Sequence, residues 1–294
     1  MKIKTTVVCW LLMIFLSGCT ERIKENSMEA TQDKIHFKSD SLEINGMHMY
    51  YEIHGEGPPL VMLHGGGSTI GTSFGRLIPL LSGSRQLICI ELQAHGRTGD
   101  REGPISFEQD ADDVAALLAA LGIQRADIFG FSNGGSTAIQ LAIRYPAVCN
   151  KVIAASALFK RSGAFPGFWD MMKDGTFDQM PQQYKDAFLK VNPDTARLYN
   201  MFSKCKTRMV LFKDVDDSAL RSVKAEVLLI NGDKDVASTE HMIEVSRLLP
   251  KCRVAILPGG HGEYMGEITT VDPAANTFIT VLPVMEKFLS GKVQ

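Results

Sequence analysis

The most informative ten residues of this 294-residue chain read Ala126-Asp-Ile-Phe-Gly-Phe-Ser-Asn-Gly-Gly135. The first six have the mostly apolar composition of a buried strand, and the residues that follow have the pattern of a helix. Between the two lies the spacing Gly130-x-Ser132-x-Gly134. A nucleophilic serine needs its hydroxyl exposed at a sharp strand-to-helix turn, where small neighbours let the elements approach. The stretch therefore predicts a nucleophilic Ser132, and the alternative is a structural turn with a surface serine.

A base and an acid for this serine follow later in the chain. Serine is a weak nucleophile at its own pKa, so it needs a base, and the base needs an orienting acid. Asp233 and Asp235 follow an apolar strand-like run, and His261 follows the last such run in a glycine-lined loop. This order, serine then aspartate then histidine, accompanies such a turn. We predict His261 as the base, with a solvated loop histidine as the alternative, and either aspartate as the acid.

A glycine loop offers donors for an oxyanion. A tetrahedral intermediate needs N–H groups directed at its negative oxygen. One is expected from the backbone of Asn133, directly after Ser132. The other is expected from the loop His64-Gly-Gly-Gly67, where missing side chains let a ligand approach the backbone. Gly66 is the first choice and Gly67 the second, while His64 is expected to be a structural hydrogen-bonding residue.

Strands alternate with helices over most of the chain. Apolar runs and turn signals predict eight strands, the first two as a hairpin around Asn45-Gly46: residues 41–44, 47–53, 60–63, 86–91, 126–131, 151–155, 227–230 and 253–257. Helices are predicted over residues 74–81, 107–121, 134–145, 238–249 and 276–289, the last with a kink or a late start at Pro283. This alternation predicts an α/β fold with a mostly parallel eight-stranded sheet flanked by helices.

The alternation breaks between residues 157 and 223. That segment is rich in Phe, Met and Tyr and contains helical fragments but no convincing strand. We interpret it as a helical lid inserted after the sixth strand. Its aromatic and methionine side chains either line an apolar pocket, where methionine adapts to bulky ligands, or only hold the lid on the sheet.

Together these pieces resemble the α/β-hydrolase superfamily, in its small single-chain branch with a helical lid. The resemblance covers residues 41–289 and includes the His64-Gly65 loop, the segment Glu91–Arg97, the serine turn, Asp235 and His261. It favours Asp235 over Asp233 by the pattern strand-Gly-x-x-Asp. Relatives carry Asp where this chain has Glu91 and serine where it has Thr98, in a segment that is structural in the family.

The resemblance implies hydrolysis through an acyl-enzyme on Ser132 without a cofactor or a metal. Carboxylic-ester cleavage is the default, and a bulky apolar ester or a macrocyclic lactone such as a macrolide would suit the lid. Aminopeptidase, C–C hydrolase, thioesterase and perhydrolase activities are alternatives, as is an inactive binding module at the cell envelope. Superfamily members that open epoxides or remove halogens use aspartate at the position of Ser132, which argues against both.

Composition excludes other functions. The chain has 31 Lys and Arg, 33 Asp and Glu, a net charge of −2, and 45% apolar residues, which is typical of a globular protein and gives no basic surface for nucleic acid. Residues 66–71 have the glycine spacing of a phosphate loop, but Thr72 stands where lysine is required. We therefore expect neither nucleic acid nor a nucleotide as a partner.

The N-terminus has the features of an export signal. Lys2 and Lys4 precede ten apolar residues, which are too few to span a bilayer as a helix. The run ends in Leu16-Ser-Gly-Cys19, which resembles the lipobox of bacterial lipoproteins. We therefore expect a signal peptide over residues 1–18, lipidation of Cys19 and anchoring in the bacterial envelope, at the periplasmic side or the outer membrane. An ordinary signal peptide with an incidental cysteine is the alternative.

The remaining segments and cysteines complete the organisation. Residues 19–34 are polar and suit a tether, and residues 35–294 form the hydrolase domain, with its lid over residues 157–223. Cys89 lies in an apolar run and is expected to be a buried free thiol. Cys149, Cys205 and Cys252 allow one disulfide in an oxidising compartment, which the spacing leaves open.

Overall fold

Over residues 37–270 and 280–291, which it describes, the computed structural model contains eight β-strands in one sheet. They are β1 (Phe37–Ile44), β2 (Met47–His54), β3 (Pro59–Leu63), β4 (Gln86–Ile90), β5 (Ala126–Phe131), β6 (Cys149–Ala155), β7 (Glu226–Gly232) and β8 (Cys252–Leu257). Their order is β1-β2-β4-β3-β5-β6-β7-β8. The pairs β1–β2 and β2–β4 are antiparallel and all other pairs are parallel, which confirms the predicted sheet.

The first two strands form the predicted hairpin. Asn45 and Gly46 have positive φ angles of 47° and 84°, as the two central residues of a type I′ turn require. The register of this pair places Ile44 opposite Met47 at the turn and Phe37 opposite His54 at the far end. The hairpin therefore supplies the antiparallel edge of the sheet.

The same part of the chain contains ten α-helices. They are α1 (Ile70–Phe74), α2 (Ile78–Leu81), α3 (Phe107–Ala120), α4 (Asn133–Arg144), α5 (Phe168–Asp174), α6 (Gln182–Val191), α7 (Thr195–Val210), α8 (Asp217–Ser222), α9 (Thr239–Leu248) and α10 (Val281–Ser290). The last of them begins at Val281 with Pro283 in its first turn, and residues 276–279 of the predicted helix lie outside the described residues. None of these helices is long and apolar enough to cross a membrane.

The prediction of one helix over residues 74–81 is wrong. The structure has two short helices there, because α1 ends at Gly75 and α2 starts at Ile78 with Pro79 in its first turn. Proline has no N–H and fits only where a helix begins. Thr72, the residue in place of a phosphate-loop lysine, is held in a capping box with Thr69 at the start of α1.

Both faces of the sheet are buried. Val61 and Leu63 of β3 lie in one core cluster with residues of α3 and α4, whereas Leu60 and Met62 lie in a second cluster with residues of α1, α2 and α10. Side chains that alternate along a strand point to opposite faces. A strand covered by helices on both faces therefore reads as a continuous apolar run, which is why these strands were visible in the sequence.

The segment between β6 and β7 contains the helices α5 to α8 and forms no sheet strand. Residues 157–223 are called the helical insertion below. Met180, Phe188, Leu198 and Met201 form its own small core. It is fastened to the loop after β4, for example by Lys204, whose Nζ lies 2.7 Å from Oδ1 of Asp100.

The described cysteines are all free thiols: Cys89, Cys149, Cys205 and Cys252. Cys89 is buried, as predicted, and the disulfide that the sequence left open is not formed. The described residues belong to one compact unit, Phe37–Gln294. The expected signal peptide, Cys19 and the tether lie outside the described residues.

Candidate active site

Ser132 lies at the turn between β5 and α4. Its backbone has a φ of 53° and a ψ of −120°, a conformation that residues other than glycine rarely adopt. A Cβ at Gly134 would overlap the backbone oxygen of Leu63, and a Cβ at Gly130 would overlap that of Gly134. Glycine at both positions therefore lets the strand turn sharply into the helix, as the spacing predicted.

His261 connects Ser132 to Asp235. Its Nε2 lies 3.0 Å from Oγ of Ser132, and its Nδ1 lies 2.7 Å from Oδ1 of Asp235. A carboxylate only accepts, so the proton of the neutral ring belongs on Nδ1. Nε2 is then free to accept the proton of the Ser132 hydroxyl. The side chain of His261 is 32% exposed and that of Asp235 is fully buried.

The buried Asp235 carboxylate is kept ionised by its donors. Burial alone would raise its pKa, but hydrogen bonds from His261, from Ser156 and from the backbone of Gly232 hold the pKa below its usual value. Oδ1 also accepts a 2.6 Å hydrogen bond from the backbone N–H of Val236. The negative charge therefore stays beside His261 at neutral pH.

Asp233 does not reach the histidine. Its exposed carboxylate accepts a 2.8 Å hydrogen bond from the backbone N–H of Gly259. That contact shapes the loop that leads to His261. The structure thus brings Ser132, His261 and Asp235 together and leaves Asp233 outside the cluster.

Sequence reasoning missed two hydroxyl groups behind Asp235. Oγ of Ser156 lies 2.5 Å from Oδ2 of Asp235 and 2.7 Å from Oη of Tyr264. Because the single hydroxyl proton of Ser156 goes to the carboxylate, Tyr264 donates to Ser156. The position of Ser156 in the sequence could have identified it, since it directly follows β6 at the edge of the sheet where the other site residues lie. Tyr264 follows a loop and gave no comparable signal.

Gly66 and Asn133, the two predicted oxyanion donors, line the same cavity as Ser132. Asn133 is the first residue of α4, so its N–H has no acceptor within the helix. Within residues 37–270 and 280–291, neither this N–H nor that of Gly66 makes a hydrogen bond. The N–H of Gly67, by contrast, donates to Nε2 of His95 over 3.1 Å. This difference favours Gly66 over Gly67 as the second oxyanion donor.

His64 has the structural position expected of it. The ring is buried, its Nδ1 lies 2.7 Å from the oxygen of Gly65, and its Nε2 accepts from the backbone N–H of Leu92 over 3.0 Å. Burial lowers the pKa of His64 well below its usual value. The neutral ring therefore joins the glycine loop to the end of β4.

Glu91 and Thr98, where this chain departs from the family pattern, also shape backbone. The Glu91 carboxylate accepts from the backbone N–H of Arg97 over 2.7 Å, and the Thr98 hydroxyl donates to the backbone oxygen of Glu91 over 2.6 Å. These bonds close the turn after β4. The substitutions leave the arrangement around Ser132 intact.

A cavity of about 660 Å³ opens over Ser132 and His261. Its walls include Gly66, Gly67 and Asn133, and apolar side chains of the helical insertion: Phe168, Met171, Met172, Met180, Phe202 and Met209. Other aromatic side chains of the insertion, such as Phe159 and Phe188, are fully buried in cores instead. Both interpretations of the aromatic and methionine-rich composition are therefore correct, for different residues.

Known proteins resemble large parts of this chain. The family model for the alpha/beta hydrolase fold matches residues 58–223, more than half of the chain. The serine hydrolase BPHL of Homo sapiens is 32% identical over 243 residues, which cover 76% of this chain and 79% of the human protein. The pyrrolizixenacetamide deacetylase of Xenorhabdus hominickii is 27% identical over 118 residues, which cover 40% of this chain and 44% of that protein. The chain thus spans less than half the length of the deacetylase.

A solved structure has the same fold. The 2-hydroxy-6-oxo-6-phenylhexa-2,4-dienoate hydrolase of Rhodococcus sp. strain RHA1 superposes with a TM-score of 0.70 at 16% identity. The superposition covers 88% of this chain and all of that one. At this identity the likeness concerns the fold alone.

Proposed function

We propose, since the chain belongs to the alpha/beta hydrolase fold family, that it is a serine hydrolase which works through an acyl-enzyme on Ser132. The observation that carries the proposal is the position of His261, 3.0 Å from the Ser132 hydroxyl and 2.7 Å from the Asp235 carboxylate. A nucleophile in contact with a base, and a base held by an acid, is the arrangement that nucleophilic catalysis needs.

In the proposed mechanism each group has its own role. Oγ of Ser132 attacks the substrate carbonyl while Nε2 of His261 takes its proton, and Asp235 stabilises the imidazolium that forms. The N–H groups of Gly66 and Asn133 hold the negative oxygen of the tetrahedral intermediate. His261 then gives the proton to the leaving group. Water, activated by the same histidine, finally releases the acid and regenerates Ser132.

The proposed substrate is a carboxylic ester with a bulky apolar group. Support comes from the cavity, whose walls are mainly apolar and carry four methionines, a side chain that adapts to irregular ligands. A macrocyclic lactone such as a macrolide belongs to this class. Of the two relatives named above, the deacetylase is named for an acetamide and the serine hydrolase for no bond. The choice of an ester bond is therefore the more specific part of the proposal.

Hydrolysis of p-nitrophenyl butyrate tests the proposed nucleophile. We expect Ser132→Ala and His261→Ala each to lose about 10³-fold or more in kcat, since removal of either group forfeits most of the acceleration. Ser222→Ala is the matched control, because among the described residues the exposed Ser222 hydroxyl bonds only to the backbone oxygen of Ala219 in its own helix. A Ser132→Ala enzyme as active as this control would overturn the proposal.

A substrate panel tests the bond and the size preference. We expect kcat/KM to be higher for long-acyl esters than for acetyl esters, and higher for esters than for matched amides and thioesters. Macrolides are included as the lactone arm. A higher kcat/KM for acetyl esters would contradict the proposal of a bulky substrate. If no macrolide is converted to a ring-opened product, the proposal of a macrolide substrate is wrong.

The proposed location is the bacterial envelope, through a lipid on Cys19. Support comes from the sequence Leu16-Ser-Gly-Cys19 after a short apolar run. Thr20, rather than aspartate, after the cysteine favours an outer membrane where the host has one. Growth with an alkyne fatty acid tests this: we expect labelled wild-type protein in the membrane fraction and unlabelled Cys19→Ser protein. A wild-type protein without label would contradict the anchor.

A further inference from the structure

A cysteine and a histidine meet beside the oxyanion loop. Sγ of Cys205, in α7 of the helical insertion, lies 3.2 Å from Nε2 of His95, in the loop after β4. The same Nε2 lies 3.1 Å from the backbone nitrogen of Gly67. The mechanism proposed above uses neither side chain. This contact therefore requires its own explanation.

The other side of the His95 ring fixes its protonation. Nδ1 lies 2.8 Å from the backbone oxygen of Gln93. A carbonyl oxygen only accepts, so Nδ1 carries a proton and the lone pair of the neutral ring is on Nε2. That lone pair is shared: it accepts from the N–H of Gly67 over 3.1 Å and lies 3.2 Å from the Cys205 sulfur. His95 is consequently placed as a base for the thiol.

The charged surroundings favour a thiolate. Burial alone would raise the pKa of Cys205, but the charge and hydrogen bond of His95, with the charge of Arg208, lower it to about 7. Burial opposes protonation of His95, yet Cys205 raises the pKa of that ring. His64 and Asp110 also face His95, with ring centroids 4.8 Å apart for the two histidines and a buried Asp110 carboxylate paired to Arg208.

Cys205 is also accessible to ligands. It is partly exposed and lines the same cavity as Ser132 and His261. Cys89 and Cys149 are buried. Cys252 is partly exposed, but burial raises its pKa to about 12. Among the described cysteines, Cys205 therefore combines a basic partner with a cavity.

We propose that Cys205 and His95 form a second reactive pair in this cavity, a modification site for α,β-unsaturated carbonyl compounds. The Cys205 thiolate forms a bond from Sγ to the β-carbon while the carbon–carbon π bond breaks. The proton on Nε2 of His95 passes to the α-carbon. The thiol proton is thereby consumed, no group leaves, and His95 returns to its neutral form.

The adduct competes with hydrolysis. Cys205 and Ser132 line one cavity, so a group bound to Sγ occupies space that a substrate needs. The contact from His95 to Gly67 further links the pair to the loop that holds Gly66. A conjugated enone or enoate ester therefore acts on this protein as a covalent inhibitor rather than only as a substrate.

N-ethylmaleimide, a cyclic α,β-unsaturated carbonyl compound, tests the proposal on the full chain. Peptide mass spectrometry gives the rate of modification of Cys205, with Cys252 as the control in the same molecule. At pH 7 we expect Cys205 to react about 100-fold faster, because the gain in thiolate outweighs the lower nucleophilicity of a more acidic thiol. Equal rates at the two cysteines would overturn the proposal.

A variant separates the pair from simple accessibility. His95→Asn keeps an N–H near the oxygen of Gln93 and removes the base, with circular dichroism as the check on folding. We expect the pH midpoint of Cys205 modification to rise from about 7 in the wild type towards the ordinary thiol value of about 8.5. An unchanged midpoint in the folded variant contradicts the pair. If the variant fails to fold, the comparison of the maleimide rates at Cys205 and Cys252 in the wild type alone tests the proposal.

Occupation of Ser132 tests the shared cavity. Protein first modified by a long-chain fluorophosphonate is expected to react with the maleimide at Cys205 at least tenfold more slowly, while Cys252 reacts as before. Unchanged modification of Cys205 in protein shown to carry the phosphonate would contradict the shared space. The maleimide rates themselves need no hydrolase activity, so they judge the pair even if Ser132 proves inert.

Discussion

At the scale of single residues, Ser132 combines its proposed role as nucleophile with backbone strain. Its φ of 53° and ψ of −120° place the hydroxyl within reach of His261, and such a conformation destabilises a residue with a Cβ by about 1–3 kcal/mol. The folded state keeps this strain because the turn is packed tightly on both sides, where a Cβ at Gly130 or Gly134 would overlap a backbone oxygen. Reactivity and local stability therefore oppose each other at this position.

Replacement of Ser132 by glycine and by alanine measures the strain. We expect Ser132→Gly to be more stable than Ser132→Ala by about 1 kcal/mol in urea unfolding, because glycine accepts the positive φ. The same pair at Ser136, inside α4, is the control. At Ser136 we expect the alanine variant to be more stable than the glycine variant by about 1 kcal/mol, since glycine disfavours a helix. The same order at both positions would contradict strain at Ser132.

The choice between two aspartates is also a question about residues. Asp235→Asn is expected to lower kcat by about 10³-fold or more, because the neutral amide no longer fixes the tautomer of His261. Asp233→Asn, an equal change two residues away, should lower kcat by less than about threefold, since Asp233 is exposed and bonds to the backbone of Gly259. Equal losses in the two variants would reopen the assignment.

We expect Ser156 to act through Asp235 as a positioning residue. Ser156→Ala removes a 2.5 Å hydrogen bond to the buried carboxylate, so the pKa of Asp235 should rise towards its usual value of about 3.9. The bond stabilises the ionised form, so its loss should destabilise the fold by about 2 kcal/mol at pH 7. This difference should shrink as the pH falls below about 4, where the carboxyl of the unfolded chain is protonated.

Urea unfolding of wild type and Ser156→Ala at pH 7 and pH 3 measures this effect. Tyr264→Phe, which removes the donor to Ser156 but leaves the bond to Asp235, is the milder comparison. A destabilisation by Ser156→Ala that is equal at both pH values would show a role in packing alone.

At the scale of elements, the helical insertion is fastened to the rest of the fold by a buried ion pair. Arg208 of α7 and Asp110 of α3 lie 2.6 Å apart, with side chains 3% and 1% exposed. Two other guanidinium nitrogens of Arg208, Nε and Nη2, have no hydrogen-bond partner in the described part of the chain. Because this buried guanidinium depends on Asp110 for its ion pair, we expect the pair to hold α7, and with it Cys205, in one position.

Removal of one partner should be far more damaging than loss of an exposed pair on the same helix. Asp110→Ala leaves a buried arginine unpaired, and we expect a loss of about 3–5 kcal/mol in urea unfolding. Asp112→Ala breaks the exposed Arg144–Asp112 pair, with Arg144 40% exposed, and should lose about 1 kcal/mol or less. Similar losses would mean that the insertion does not depend on the buried contact.

The elements that the sequence predicted are those with local signals. Asn45-Gly46 predicted the hairpin, and the helix predicted from residue 107 starts there, where Oγ of the preceding Ser106 accepts from the N–H of Gln109 over 3.1 Å. The split between α1 and α2 depended on Gly75 and Pro79, whose meaning we missed. The bounds of the insertion helices were not predicted, because their apolar side chains pack on parts of the fold that are distant in the chain. Met209 of α7, for example, lies in the same core cluster as Val114 of α3.

At the scale of the whole molecule, the site forms because parallel strands end at one edge of the sheet. Ser132 follows β5, Asp235 follows β7 and His261 follows β8, and the contact from Ser132 to His261 spans 129 positions of the chain. Each residue stood after an apolar run, so the sequence was sufficient to predict this convergence. The contact of Cys205 with His95 depends on how the insertion docks, which no local pattern encodes.

The direct test of the central claim is the mass of the intact protein after reaction with a fluorophosphonate, with the adduct located by peptide fragmentation. We predict one phosphonate per chain, on Ser132, and a rate of labelling that falls about 10³-fold or more in His261→Ala, since the serine then lacks its base. A folded wild-type protein that takes up no phosphonate, or that carries it on another residue, would contradict the account.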